Sequence, residues 1–159
     1  MDTSLAWAAG FLDGEGTLTI KRYRRWKGLD FLYYIPQISC AQVNKPLNRV
    51  AIKKLKSLFG GYIYHYEVKL EKRGNRLDVI QWGVTSLAAR KCLPLILPFL
   101  VIKKPQAKLL LKFWEVHKGN RQGHKLTSRD REIRKKFFDK MRTLNVKGKL
   151  RLQRLNEKT

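Results

Sequence analysis

Along the first fifty residues the apolar positions change their period once, and the change marks the first boundary. The unbroken run Leu5-Ala6-Trp7-Ala8-Ala9-Gly10-Phe11-Leu12 predicts a helix capped by Thr3 or Ser4 and stopped near Gly14 or Gly16. From Thr17 the pattern alternates: Thr17, Thr19, Lys21, Tyr23 and Arg25 interleave with Leu18 and Ile20, as in a strand with one wet and one buried face. Lys27-Gly28-Leu29-Asp30 supplies a turn, and a second strand runs from Phe31 to Val43, with Pro36 indicating an edge position or a bulge. These strands form a hairpin.

The same grammar then repeats. Asn44-Lys45-Pro46 opens a helix in which Leu47, Val50, Leu55, Leu58 and Phe59 recur at helical spacing, and Gly60-Gly61 closes it. Tyr62 to Tyr66 begins a strand, Arg73-Gly74-Asn75-Arg76 turns, and Leu77 to Trp82 returns. A helix from Ser86 bounded by Pro94 and Pro98, and another from about Lys104 to Lys118, complete a doubled α-β-β unit with its last helix. The expected fold is α+β, in the order αββαββα: a four-stranded antiparallel sheet with helices on one face and the other face left for a partner. Residues 1–118 form the core. Residues 119–159 form a basic C-terminal extension, with a helix near Ser128 to Leu144 packed on the same domain.

Charge narrows the partner. The 159 residues carry 35 Lys and Arg against 12 Asp and Glu, a net +23, yet 43% are hydrophobic, so the chain can bury a core and is no disordered basic tail. Residues 103–159 alone are net +14. Such a surplus calls for a polyanion, nucleic acid foremost. Cys40 and Cys92 make neither a disulfide framework nor a zinc pair, and His65, His117 and His124 have no metal-ligand spacing to them. Met1-Asp2-Thr3-Ser4 lacks a signal peptide's basic segment, and no apolar window is long enough to span a bilayer. The expectation is a soluble intracellular protein, cytoplasmic or organellar, neither secreted nor membrane-bound.

The chemistry concentrates at the end of the first helix. Ala6, Gly10 and Gly14 fall four apart and form a nearly bare helix face, an invitation to a second helix at close range. Asp13 and Glu15 follow between glycines that let the chain leave sharply. A carboxylate at a helix C-terminus meets an already negative dipole, so a cation explains it better than stability does.

Here the run Ala9-Gly10-Phe11-Leu12-Asp13-Gly14-Glu15-Gly16 resembles the signature of the LAGLIDADG homing endonucleases, and the element order over roughly residues 4–118 resembles their fold. The signature occurs once, like that of the homodimeric branch. The resemblance implies a saddle-shaped sheet gripping double-stranded DNA and two signature helices packed together, with Ala6, Ala9 and Gly10 at the dimer interface and Asp13 either there or in a helix-end role. It also implies site-specific hydrolysis of both strands of a long pseudo-palindromic target, 3′ overhangs, and an intron-encoded gene. Glu15 and the Gly14 carbonyl would hold Mg²⁺ or Mn²⁺. Two such carboxylates about 5 Å apart would repel by about 3 kcal/mol at an effective dielectric near 20, so a cation between them is required.

The segment Leu97 to Ala107 resembles the one that places an active-site lysine, here Lys103. Arg49 matches a basic position on the second helix and Gln42 a DNA-facing strand position. Lys45 departs from the glutamine often found there, and Asn44 or Gln42 is left to position water. Thr17, Thr19, Lys21, Tyr23 and Arg25 would face the major groove; in the second hairpin Tyr62, Tyr64 and Tyr66 would do so, with Lys69, Lys72, Arg73 and Arg76 gripping phosphates. Trp26, beside arginines, would touch the DNA backbone, whereas Trp7, Trp82 and Trp114 read as core. Plainer readings stand beside these: Glu15 as a solvated loop acid, Lys103 and Arg49 as surface charges, the tyrosines as a half-buried strand face. The competing function is a non-catalytic nucleic-acid-binding protein, such as a maturase holding intron RNA.

Overall fold

The computed structural model describes residues 3–23, 32–68, 77–116 and 127–146. Helix α1 (Thr3–Glu15) leads directly into β1 (Gly16–Tyr23), which pairs with β2 (Tyr33–Val43); α2 (Pro46–Phe59) precedes β3 (Tyr62–Tyr66) and β4 (Val79–Thr85). Helix α3 (Ser86–Ile96), a 3-10 turn at Leu97–Phe99, α4 (Lys104–Val116) and α5 (Ser128–Asn145) follow. The strands form one antiparallel sheet in the order β1-β2-β4-β3.

Register explains why one face is dry. Leu18 and Ile20 stand opposite Ile38 and Pro36, and Ile38 and Cys40 stand opposite Val84 and Trp82, so the buried positions of three strands align in rows. Those rows meet Ala8, Ala9 and Leu12 of α1, Ile52 and Leu55 of α2, Cys92, Leu93 and Ile96 of α3, and Leu110 and Phe113 of α4 in one core. The helices therefore lie on one face, as the alternation predicts. The opposite rows, which include Thr17, Thr19 and Lys21, point away from them.

The prolines behave less simply than their positions suggest. Pro36 lies in β2, an interior strand, but pairing with β4 begins only at Gln37, so at Pro36 the strand has a neighbour on the β1 side alone. The missing N–H falls where no ladder bond is needed. Pro94 does not bound α3; it lies inside the helix, which continues to Ile96 because Cys92, Leu93 and Ile96 are all seated in the core. Pro46 opens α2 at its first turn, as expected. At the far end of α2, Gly60 and Gly61 have φ of 68° and 84°, and a Cβ on Gly61 would come within 2.4 Å of the Gly83 carbonyl oxygen.

Helix α5 begins with a capping box: the Thr127 hydroxyl accepts from Asp130 N, and the Asp130 side chain accepts from Thr127 N. It ends tied to the sheet, where Asn145 Nδ2 donates to the Leu18 carbonyl at 2.9 Å and so occupies an acceptor on the edge strand β1. Met141 and Arg134 are buried beneath it, and Phe138 packs on Tyr34 with Arg22 over its ring. No helix among the described residues is long and apolar enough to cross a membrane.

Candidate active site and nucleic-acid interface

The end of α1 is where the chemistry gathers. Gly16 makes the helix-to-strand passage possible: a Cβ there would stand 2.6 Å from the Leu12 carbonyl oxygen. One residue earlier, Glu15 is exposed and accepts a hydrogen bond on Oε2 from Gln42 Nε2 at 2.9 Å. The last carbonyls of α1, that of Gly14 among them, have no intrahelical donor. Glu15 thus presents oxygens at the negative end of a helix, beside an amide that steers it.

Asp13 does something different. It is buried, with Oδ2 accepting from Val101 N at 2.6 Å and Oδ1 from Lys103 N at 2.8 Å, while the Lys103 ammonium donates back to the Asp13 carbonyl oxygen. The carboxylate therefore clamps the turn before α4 onto the end of α1. Of the two roles expected for Asp13, helix end or dimer contact, this geometry favours the first: two residues before Glu15, the helix turns its side chain into its own chain. The dimer-contact reading of Ala9 is corrected, since Ala9 is fully buried in the core with Ala8 and Leu12, whereas Ala6 is half-buried and Gly10 exposed.

Lys103 is placed beside Glu15's neighbourhood by this clamp. The buried Cys40 thiol registers both: burial pushes it up to about 11, the Gln42 hydrogen bond lowers it, the Glu15 charge raises it and the Lys103 charge lowers it. Cys40 is accordingly no nucleophile, and burial holds Cys92 at about 12. Gln42 is a further correction. In register it belongs with Ile38 and Cys40 on the helix side of β2 rather than on the open face, and it reaches Glu15 for that reason. Arg49 and Lys45 sit at the start of α2; Arg49 Nε donates to Asn44 Oδ1 at 2.6 Å, and Lys45 is the exposed residue preceding the helix.

The open face carries Thr17, Thr19, Lys21 and Tyr23 on β1, with Tyr64 and Tyr66 each half-exposed on β3. Tyr62, Tyr64 and Tyr66 form a ladder of rings with centroids 4.7 and 6.2 Å apart, and Tyr23 stacks on Tyr33. Arg25, Trp26, Lys69, Lys72, Arg73, Arg76, His117 and His124 lie outside the described residues. Sequence reasoning missed Gln37, which occupies the same face between Thr19 and Thr85 and yet is 1% exposed. Its Nε2 donates to the Tyr62 hydroxyl at 2.6 Å. Burial raises the Tyr62 phenol above its ordinary value, against the lowering effect of that bond. No sequence signal marks Gln37, because its burial depends on a ring two strands away.

No family model matches this chain, and no curated protein does. Solved structures do. The chain is similar to the homing endonuclease I-CvuI in complex with its target in the presence of calcium (18% identity over 92% of this chain and 85% of that one, TM-score 0.71). It is also similar to the archaeal intron-encoded homing endonuclease I-Vdi141I complexed with DNA (16%, 92% and 87%, TM-score 0.68) and to the homing endonuclease I-TnaI (20%, 99% and 99%, TM-score 0.63). The fold is that of the LAGLIDADG homing endonucleases.

Proposed function

We propose that this protein is a site-specific double-strand DNA endonuclease that acts as a homodimer with a divalent metal ion. The observation that carries the reading is the pairing of an exposed Glu15 with an apolar α1 surface that the described residues do not cover. Gly10 and Gly14 are exposed, and a Cβ on either would meet nothing within 4 Å among the described residues, so none of those residues demands a glycine at either place. The demand comes from outside, and a second copy of α1 meets it by close backbone approach.

The residues fit a hard cation in that arrangement. Among the described residues no three His, Cys, Asp or Glu converge, and Asp13 is committed to the turn at 101–103. One chain thus offers half a donor set, the Glu15 carboxylate and the Gly14 carbonyl, and a two-fold partner offers the other half. All-oxygen donors suit Mg²⁺ or Mn²⁺. When bound, such an ion polarises a water and neutralises charge on the scissile phosphate. This chain's own part is to orient: Gln42 holds the Glu15 carboxylate, Lys103 brings a positive charge to the phosphate, and Arg49 and Lys45 lie at the adjoining helix start. The open face, with Thr17, Thr19, Lys21, Tyr23, Tyr64 and Tyr66, meets the major groove. Two-fold symmetry of the protein requires a near-palindromic target, and by resemblance the cuts leave 3′ overhangs.

The test is cleavage of a supercoiled plasmid bearing a target selected from randomised duplexes, with Mg²⁺. Wild-type protein is expected to linearise it, and Glu15→Gln to lose cleavage by on the order of 10²–10³-fold or more while still binding. Undiminished cleavage by the variant overturns the assignment of Glu15; selective binding without any cleavage by the wild type overturns the nuclease.

A further inference from the structure

Gln37 stands at the middle of the face that the proposed function gives to DNA, and it is hidden there. Its neighbours in register, Thr19 and Thr85, and the row containing Thr17 and Lys21 belong to the open side of the sheet, yet Gln37 is 1% exposed. The cover is Tyr62. Its ring lies across β4 at Gly83, where a Cβ would come 2.7 Å from the hydroxyl oxygen and 2.8 Å from ring carbons, so only glycine lets the ring cross. Reaching over that gap, the hydroxyl accepts from Gln37 Nε2 at 2.6 Å, while Gln37 Oε1 is buried with no hydrogen-bond partner among the described residues.

The latch satisfies a single end of the amide and leaves the carbonyl oxygen with no donor among the described residues, a cost that a further partner would remove. The two functional ends of a glutamine amide match one base edge in the major groove: adenine offers N6–H to Oε1 and N7 to Nε2. We propose that Gln37 is an adenine-reading side chain that Tyr62 covers in the free protein and that DNA uncovers. The inference rests on the reading of the open sheet face as the DNA surface. Uncovering is local. It requires movement of the Tyr62 side chain alone, away from small neighbours, the partly exposed Ser39 and the exposed Ala41, with the Tyr64 ring 4.7 Å away, centroid to centroid, on its other side. The unsatisfied oxygen gains its partner only in the complex, which makes a mismatched base at this position doubly unfavourable.

The experiment selects binding sites from a randomised duplex library with the full-length protein and compares the consensus of wild type, Gln37→Leu and Tyr62→Phe. For Gln37→Leu, preference for an A·T pair is expected to collapse at one position in each half-site, by roughly 5- to 150-fold, with the other positions kept. Tyr62→Phe, which lacks the latch hydroxyl, is expected to keep that adenine and to bind the selected duplex roughly 5-fold tighter. An unchanged consensus for Gln37→Leu, or loss at a position that is not A·T, overturns the role of Gln37. Should Gln37→Leu fail to fold, unchanged affinity of Tyr62→Phe overturns it instead. A wild-type protein that selects no consensus at all overturns the sequence-specific reading of the face, a result distinct from both.

Discussion

Asp13 and Glu15 are two residues apart, and helical geometry sends them in different directions, one into the protein and one out. Glu15 is exposed beside Gln42, while Asp13 accepts two backbone N–H groups from a turn nearly ninety residues along the chain. Both N–H groups lose their acceptor when Asp13 is replaced by Ala, and a buried unsatisfied donor costs about 1–3 kcal/mol. Asp13→Ala is therefore expected to destabilise the protein by at least that much in urea unfolding. It is also expected to lower cleavage through misplacement of Lys103; an unchanged unfolding midpoint would contradict the clamp. The sequence shows why Glu15 stands out, through its glycines and its place at a helix end. It contains nothing that joins Asp13 to Val101, because that contact exists only after α1 and the 3-10 turn at Leu97–Phe99 have packed. Gln42 illustrates the same limit at closer range: the parity of β2 is fixed by Ile38 and Cys40 against Val84 and Trp82, and counting from Pro36 does not reveal it.

Among the elements, those with strong periodicity are the ones the sequence places well. The alternation of β1, the proline-opened α2 and the glycine pair at its end all translate directly, since each records a local requirement of the backbone. The end of α3 does not, because burial of Ile96 outweighs the bond that Pro94 removes. Helix α5 stands between these cases. Its apolar positions Phe137, Phe138 and Met141 mark it, and its start is set by the Thr127–Asp130 box. Replacing Thr127 with Ala is expected to lower the Tm by about 2–4 °C, readable by circular dichroism. The box also has a pH signature. The Thr127 hydroxyl and backbone hydrogen bonds hold the Asp130 carboxyl below its ordinary value. Its contribution is thus fully present above the ordinary carboxylate pKa and fades as pH falls through the lower folded value. The Tm difference between wild type and Thr127→Ala is expected at neutral pH and should narrow in acid; a gap that widens on acidification would mean that Asp130 is not the partner.

For the whole molecule, the apolar surface of α1 and the charge of +23 make separate demands. The exposed Gly10 sits in a helix with no polar residue from Leu5 to Leu12, and near its end Val101 and Ile102 are 79% and 69% exposed, so the helix and the turn clamped to it form a surface unsuited to water. In the proposed dimer a second copy would cover it, and the same step would bring two half-sites of oxygen donors together. Gly10→Leu separates the two functions of this surface. A Cβ at this position meets nothing within 4 Å among the described residues and the substitution removes a helical glycine, so the monomer should fold at least as stably as wild type. The dimer should not form, and cleavage should be lost with it. Sedimentation equilibrium decides the matter: wild-type mass near twice that of one chain and variant mass near one chain is the expected pair, and a variant that remains dimeric places the interface elsewhere. The positive charge is tested on the same dimer by salt. Neutralisation of about 6–10 phosphates implies that affinity for the selected duplex falls by about 10³–10⁵ between about 50 and 200 mM salt. A dimer whose affinity is flat over that range would be reading DNA without gripping its backbone, which a chain of this charge gives no reason to expect.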